Sequence, residues 1–176
     1  MIIPIGWPSV FEDALEQLFS SSPTLQDATG KTPEQLREEN IFNDYSWYEQ
    51  TDDGVLKSMR PLVVFREDEL TITRDTFTAN RSQGNLWAGS VGVLITDNAI
   101  HQGNNDPIHH KESKRNFVNF VGSILDDIEQ VAGVDVNLGF QAIEMVMPYT
   151  RTPLHHRSVN NDIWEFGLAV RFGIGE

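Results

Sequence analysis

The chain has 176 residues, 39% of them hydrophobic and 22% charged, with a formal net charge of -13 and no cysteine. That size and balance suit one folded domain, 1–176, with a sizeable core, and they exclude disorder of the whole chain. The missing cysteines exclude disulfides, thiolate catalysis and thiolate metal sites, and the acidic balance disfavours nonspecific attraction to nucleic acid or anionic membranes.

The opening "MIIPIGWPSVF" is apolar but has no basic n-region, so it reads as mature sequence rather than a signal peptide. No apolar run approaches the roughly 20 residues of a spanning helix, so no membrane contact is expected. Val10, Phe11, Ala14, Leu15, Leu18 and Phe19 recur at helical steps. Ser9 with Glu12 three residues on predicts a capping box at the start of that helix, and "SSSP" at 20–23 ends it.

Residues 20–59 read as an irregular insertion. Within it Thr32, Pro33 and Gln35 predict a short capped helix over about 33–39. The acidic and aromatic "IFNDYSWYEQTDDG" follows and reads as a surface excursion pinned by Phe42, Tyr45 and Trp47.

From Arg60 the pattern changes to strands. "PLVVF" and "LTITR" flank "REDE", which predicts a hairpin. "LWAGSVGVLIT", 86–96, is a further strand in which Gly89 and Gly92 point to a bulge or close packing. A polar loop over 98–111 is expected next. Phe117, Phe120, Val121, Ile124, Leu125, Ile128 and Val131 then form one helical stripe, stopped by Gly133. A strand "FQAIEMVM", a loop over 148–162 and a last strand over 163–174 complete the pattern.

These elements predict an α+β fold. Its sheet is mostly antiparallel, with the N-terminal helix and the long amphipathic helix packed on one face. In the last strand Trp164, Phe166, Leu168, Val170, Phe172 and Ile174 alternate toward that core. The other face carries Ile163, Glu165, Gly167, Ala169 and Arg171 and has little of its own chain to cover it. Solvent or a second copy of the chain would meet it, the latter with Glu165 and Arg171 placed for charge pairing.

No nucleophile elbow, phosphate loop, dinucleotide fingerprint or metalloprotease spacing is present. The acidic clusters read as turns and solvated helix faces, and "WYEQTDDG" lacks the spacing of a calcium loop. His101, the pair His109–His110 and the pair His155–His156 lie in stretches read as loops, without a carboxylate at ligand spacing. No catalytic residue, metal site or cofactor is expected. A small metal-dependent hydrolase using those histidine pairs stays as an alternative.

The order from an N-terminal helix through "RPLVVF", "LWAGSVGVLIT" and "FVNFVGSILDDIEQV" to "NNDIWEFGLAVRFG" resembles the tail terminator (tail completion) proteins of long-tailed bacteriophages. The similarity covers roughly 60–176 and rests most on the aspartate–aromatic start and terminal glycine of the last strand. It implies a structural virion protein of the tail or neck, made in the host cytoplasm. Such a protein closes as a hexameric ring on the tail tube, ends its polymerisation and joins it to the head connector. The implied partners are its own copies, the tube protein and the connector, with DNA only as a passing contact. A neck or head-completion protein is the neighbouring alternative. A ring would use the face of Ile163, Glu165, Gly167, Ala169 and Arg171 between subunits. A docking loop would present His101, Asn104, Asn105, Asp106, His109 and His110.

Overall fold

Helix α1 begins at Trp7 and runs to Ser20, so Ser9 lies inside it and not at its cap. A computed structural model describes residues 7–75, 86–99, 107–132, 154–157 and 162–174. Leu15, Leu18 and Phe19 are buried, as the helical spacing requires. "SSSP" does end the helix, and it also starts the next one. Ser22 caps α2 (Pro23–Thr29), accepting from the Leu25 N–H, and Gly30 closes it in the left-handed region at φ 67°.

The stretch read as irregular is mostly helical. Helix α3 (Pro33–Glu39) carries the expected capping box, with Thr32 and Gln35 bonded reciprocally. A two-residue strand β1 (Ile41–Phe42) follows, then α4 (Tyr45–Gln50) and α5 (Asp53–Met59). Asp44 and Asp52 supply the caps of these two short helices. Their apolar residues are too few for a clear helical period, so the capping aspartates were the readable signal.

The residues around "REDE" form no turn. Strand β2 runs unbroken over Leu62–Asp75 and pairs with β3 (Leu86–Asn98). The ladder shifts between Arg66, opposite Gly92, and Thr71, opposite Ser90, so β2 accommodates extra residues there. The irregularity foreseen at the β3 glycines therefore sits on the facing strand.

Helix α6 spans Pro107–Ala132, ten residues ahead of its apolar stripe, with Pro107 at the tolerated first position. Strand β4 (Leu154–Arg157) and β5 (Asp162–Ile174) complete the described elements. Part of the stretch read as a loop over 148–162 is thus a strand. The expected strand over 140–147 and the Gly133 stop lie outside the described residues.

The fold is α+β. The sheet order is β1-β2-β3-β5-β4, with β1 parallel to β2 and every other pair antiparallel. One face packs against α1 and α6. Val63, Phe65, Val93, Ile95, Trp164 and Leu168 from the strands meet Leu15, Phe19, Phe117, Val121, Ile124 and Ile128 from the helices. Each such side chain contributes about 1.5–3 kcal/mol by leaving water.

Two polar devices fix the helical stretch to this core. Asp127 of α6 accepts from Ser22 Oγ at 2.7 Å and from the Thr24 N–H at 3.0 Å, at the start of α2. Partial burial pushes the Asp127 carboxyl up, but those hydrogen bonds outweigh it and hold the group below its ordinary value. Buried Asn40 ends α3 and donates through Nδ2 to the carbonyls of Met59 (2.8 Å) and Pro61 (2.9 Å). Its Oδ1 accepts from Lys31 at 2.7 Å, and its carbonyl accepts from the Val63 N–H at 2.9 Å.

On α6, a Cβ built at Gly122 would meet nothing within 4 Å. Gly122→Ala is therefore expected to stabilise the chain by about 0.5–1 kcal/mol, through helix propensity and a less free unfolded chain. A urea midpoint that fails to rise would show that this helix position is constrained by something other than backbone entropy.

Candidate functional site

The second face of the sheet, expected to be bare, is partly covered by the chain itself. Antiparallel register sets Leu62 beside Thr96 and Thr96 beside Glu165, and one step along sets Val64, Leu94 and Gly167 in a row. Tyr48 of α4 and Leu56 of α5 bury there with Leu62, Val64 and Leu94, and Phe42, Tyr45, Trp47 and Met59 pack around them. Phe42 and Trp47 stack with centroids 4.4 Å apart, and the Arg66 guanidinium lies 4.4 Å above the Tyr45 ring.

Two positions of the expected interface meet their own chain. Ile163 is buried within its own chain. Glu165 is half-buried, and its Oε1 accepts from the Tyr48 hydroxyl at 2.6 Å. Gly167 and Ala169 remain half-buried, and Arg171 sits opposite Ser90 in the ladder. The aromatic stretch 41–50 is pinned by Phe42, Tyr45 and Trp47, as expected, and it covers part of the sheet.

Burial pushes the Tyr48 phenol up to about 12, and the neighbouring Glu165 charge and hydrogen bond add to this. An unfolded tyrosine ionises near 10. The folded value is the higher one, so the stabilisation is complete below about pH 10 and is lost as pH rises through about 12. Absorbance titration of tyrosinate is expected to show a step near pH 12 that Tyr48→Phe removes. A step that persists in this variant would place the perturbed phenol elsewhere.

At the end of the sheet where β2 begins, β3 ends and β5 begins lies a cavity of about 620 Å³. Its described lining joins Arg60 at the end of α5 and Asp97 and Asn98 of β3 to Ser113, Asn116 and Phe120 from α6, with Trp164 and Phe117 also contributing. Trp164 is held by its indole N–H, which donates to Ser113 Oγ at 2.9 Å, and by stacking on Phe117. Arg60 is 8% exposed. Its Nε donates to Thr96 Oγ1 at 3.3 Å and its Nη1 to Asn98 Oδ1 at 3.4 Å, both long for such bonds. Its Nη2 is buried without a hydrogen-bond partner. Burial raises the Asp97 carboxyl above its ordinary value, against the pull of the Asn98 N–H and the Arg60 charge.

The histidine pairs are not loop residues. His109 and His110 belong to the first turn of α6, and the His110 ring lies 5.2 Å from that of Trp164. His155 and His156 are on β4, in register with Trp164 and Ile163. The expected docking loop therefore loses its last residues to the helix. His101, Asn104, Asn105 and Asp106 lie outside the described residues. Among the described residues, no three His, Asp or Glu side chains converge as a metal site, and no helix is long and apolar enough to cross a membrane.

Sequence reading missed Tyr48, Arg60 and Asp97. Asp44 three residues ahead of Trp47 was the available signal for Tyr48, because it caps the helix that carries it. No local signal marks Arg60 or Asp97, whose surroundings are assembled from α6 and β5. No protein-family model and no curated protein matches the chain.

Proposed function

We propose that the chain is a structural virion protein of the tail-terminator type. It closes as a ring on the tail tube, ends tube growth and joins the tube to the head connector, with no catalytic role. The observation that carries this reading is the succession α1, β2, β3, α6, β5. The two helices lie on one face of a long antiparallel sheet, and β5 lies inside that sheet. The resemblance drawn from the sequence depends on that succession.

A second feature supports it. Among the described residues, β3 pairs with β5 from Ile163 to Ile174, whereas β4 borders its other side only from Asp162 to Glu165. A head-to-tail contact between copies closes into a ring when its rotation allows, and this reading puts it along the rest of that side of β5. Gly167, Ala169 and Arg171 lie along that stretch, so the subunit contact is assigned there rather than to Ile163 and Glu165. The net charge of -13 suits a conduit through which DNA passes, because acidic walls repel phosphate.

Light scattering after size exclusion, at two protein concentrations and with tail tubes added, tests this. The expected result is a ring of about six subunits, free or on the tube end. A monomer at both concentrations that ignores tail tubes would overturn the reading. Ala169→Glu, which puts a charge on the assigned contact, is expected to abolish the ring while leaving far-ultraviolet circular dichroism unchanged.

A further inference from the structure

The first half of α6 carries a charge of the opposite sign to the rest of the chain. Lys111, Lys114 and Arg115 fall close together in a chain whose net charge is -13. At about 100° per residue, Lys111, Arg115 and Val118 lie on one side of the helix, with Lys114 next to them. Lys111 and Arg115 are exposed, Lys114 is half-buried, and Val118 is 42% exposed. Glu112, the acid within this run, lies round the helix with Asn116, on the cavity side. Asp127 turns the same way, to Ser22 and Thr24 of α2. The basic side therefore points away from α2, roughly half a turn round the helix from Asp127. Among the described residues, none of the three cations has an ion-pair partner.

Negative charge gathers at the far edge of the sheet. Helices α1 and α3 pack beside β1, which ends the sheet, and Glu12 of α1 accepts from Asn43 Nδ2 at 3.0 Å just past that strand. Glu12, Asp13 and Glu16 share α1, and Glu34 lies in the first turn of α3. Burial pushes the Glu16 carboxyl up, and the charges of Asp13 and Glu12 push it further, with Arg37 opposing them. Arg37 is itself shared with Glu34 at 4.0 Å, so the patch keeps an excess of negative charge. Helix α6 packs instead against β5, toward the other edge of the sheet.

Two copies of so acidic a chain repel through their net charge, so a contact between them is favoured where it sets opposite signs face to face. The basic side of α6 and the acidic side of α1 and α3 are two different patches on opposite edges of one domain. Joining one to the other is a head-to-tail contact, the kind that closes into rings. Val118 adds apolar area among the cations. We infer that Lys111, Lys114 and Arg115 of one copy dock on Asp13, Glu16 and Glu34 of the next. This contact names the two halves of the subunit interface and rests on the ring reading proposed above.

Two variants test it against the native chain, by light scattering after size exclusion without tail tubes. The salt is about 0.15 M, where a Debye length of about 8 Å leaves touching charges active. One variant carries Lys111→Glu and Arg115→Glu, the other Asp13→Lys and Glu34→Lys. All four positions are exposed, so circular dichroism is expected to stay unchanged. Each variant is expected to associate with itself roughly tenfold more weakly than the native chain, or worse. Mixed in equal amounts, the two are expected to recover assembly, because every reversed face then meets its opposite sign. A chain with all four reversals keeps the native net charge and is expected to assemble like the native one.

A ring that survives both sets of reversals would overturn this contact and leave the ring reading standing. Weakening without recovery in the mixture would also overturn it, since the reversed faces then meet other surfaces. A native chain that stays monomeric up to about 1 mM would overturn it too, and the ring reading is then decided by the tube-end measurement alone.

Discussion

Trp164→Ala is expected to destabilise the chain by about 3–5 kcal/mol, the largest effect of any single substitution considered. The side chain is 2% exposed, packs in the core between β5 and α6, and stacks on Phe117 at 6.2 Å with an interplanar angle of 16°. Truncation removes the apolar contact, leaves a cavity beside the existing one, and strips Ser113 Oγ of its indole donor. Chemical denaturation should show the midpoint falling at an unchanged slope. A loss below about 1 kcal/mol would mean that α6 can collapse onto the sheet and that the junction is loosely packed. Trp164→Phe keeps most of the volume and loses the hydrogen bond, so it should cost clearly less.

Asn40→Ala is expected to cost about 2–4 kcal/mol. The residue is 2% exposed, and its amide serves the Met59 and Pro61 carbonyls at once. Removing it leaves two acceptors beside the start of β2 without their donor, at about 1–3 kcal/mol for each one that stays dry. Asn40→Asp tests the same point without a change of volume. It replaces the donor by an acceptor facing two carbonyls and should cost at least as much. Lys31→Met is the contrast. Lys31 is only partly buried, its ion pair with Glu39 at 2.7 Å is near the surface, and its removal takes one donor from Asn40 Oδ1, so it should cost less, about 1–2 kcal/mol. If Asn40→Ala were as mild as Lys31→Met, the anchoring of the helical stretch would have to lie in apolar packing alone.

The two helices of the main face were readable because their information is local. Leu15, Leu18 and Phe19 on α1, and Phe117, Val121, Ile124 and Ile128 on α6, recur at the helical period and bury on one side. Thr32, Pro33 and Gln35 announced α3 within four residues. Strict alternation likewise placed Trp164 and Leu168 toward the helices. The expected "REDE" turn was an error of the same local kind. Charged residues between two apolar runs look like a turn, yet a strand carries them where its ladder is irregular.

The sequence by itself determined the fold class, the face of the last strand that enters the core and the absence of familiar catalytic motifs, because periodicity and motif spacing are properties of neighbouring residues. Only the tertiary structure decided what covers the other face. Tyr48 and Glu165 meet across 117 residues, and Arg60 reaches Thr96 and Asn98 from the end of α5. Such pairings depend on strand order and on where two short helices come to rest. No local pattern encodes a partner that far along the chain.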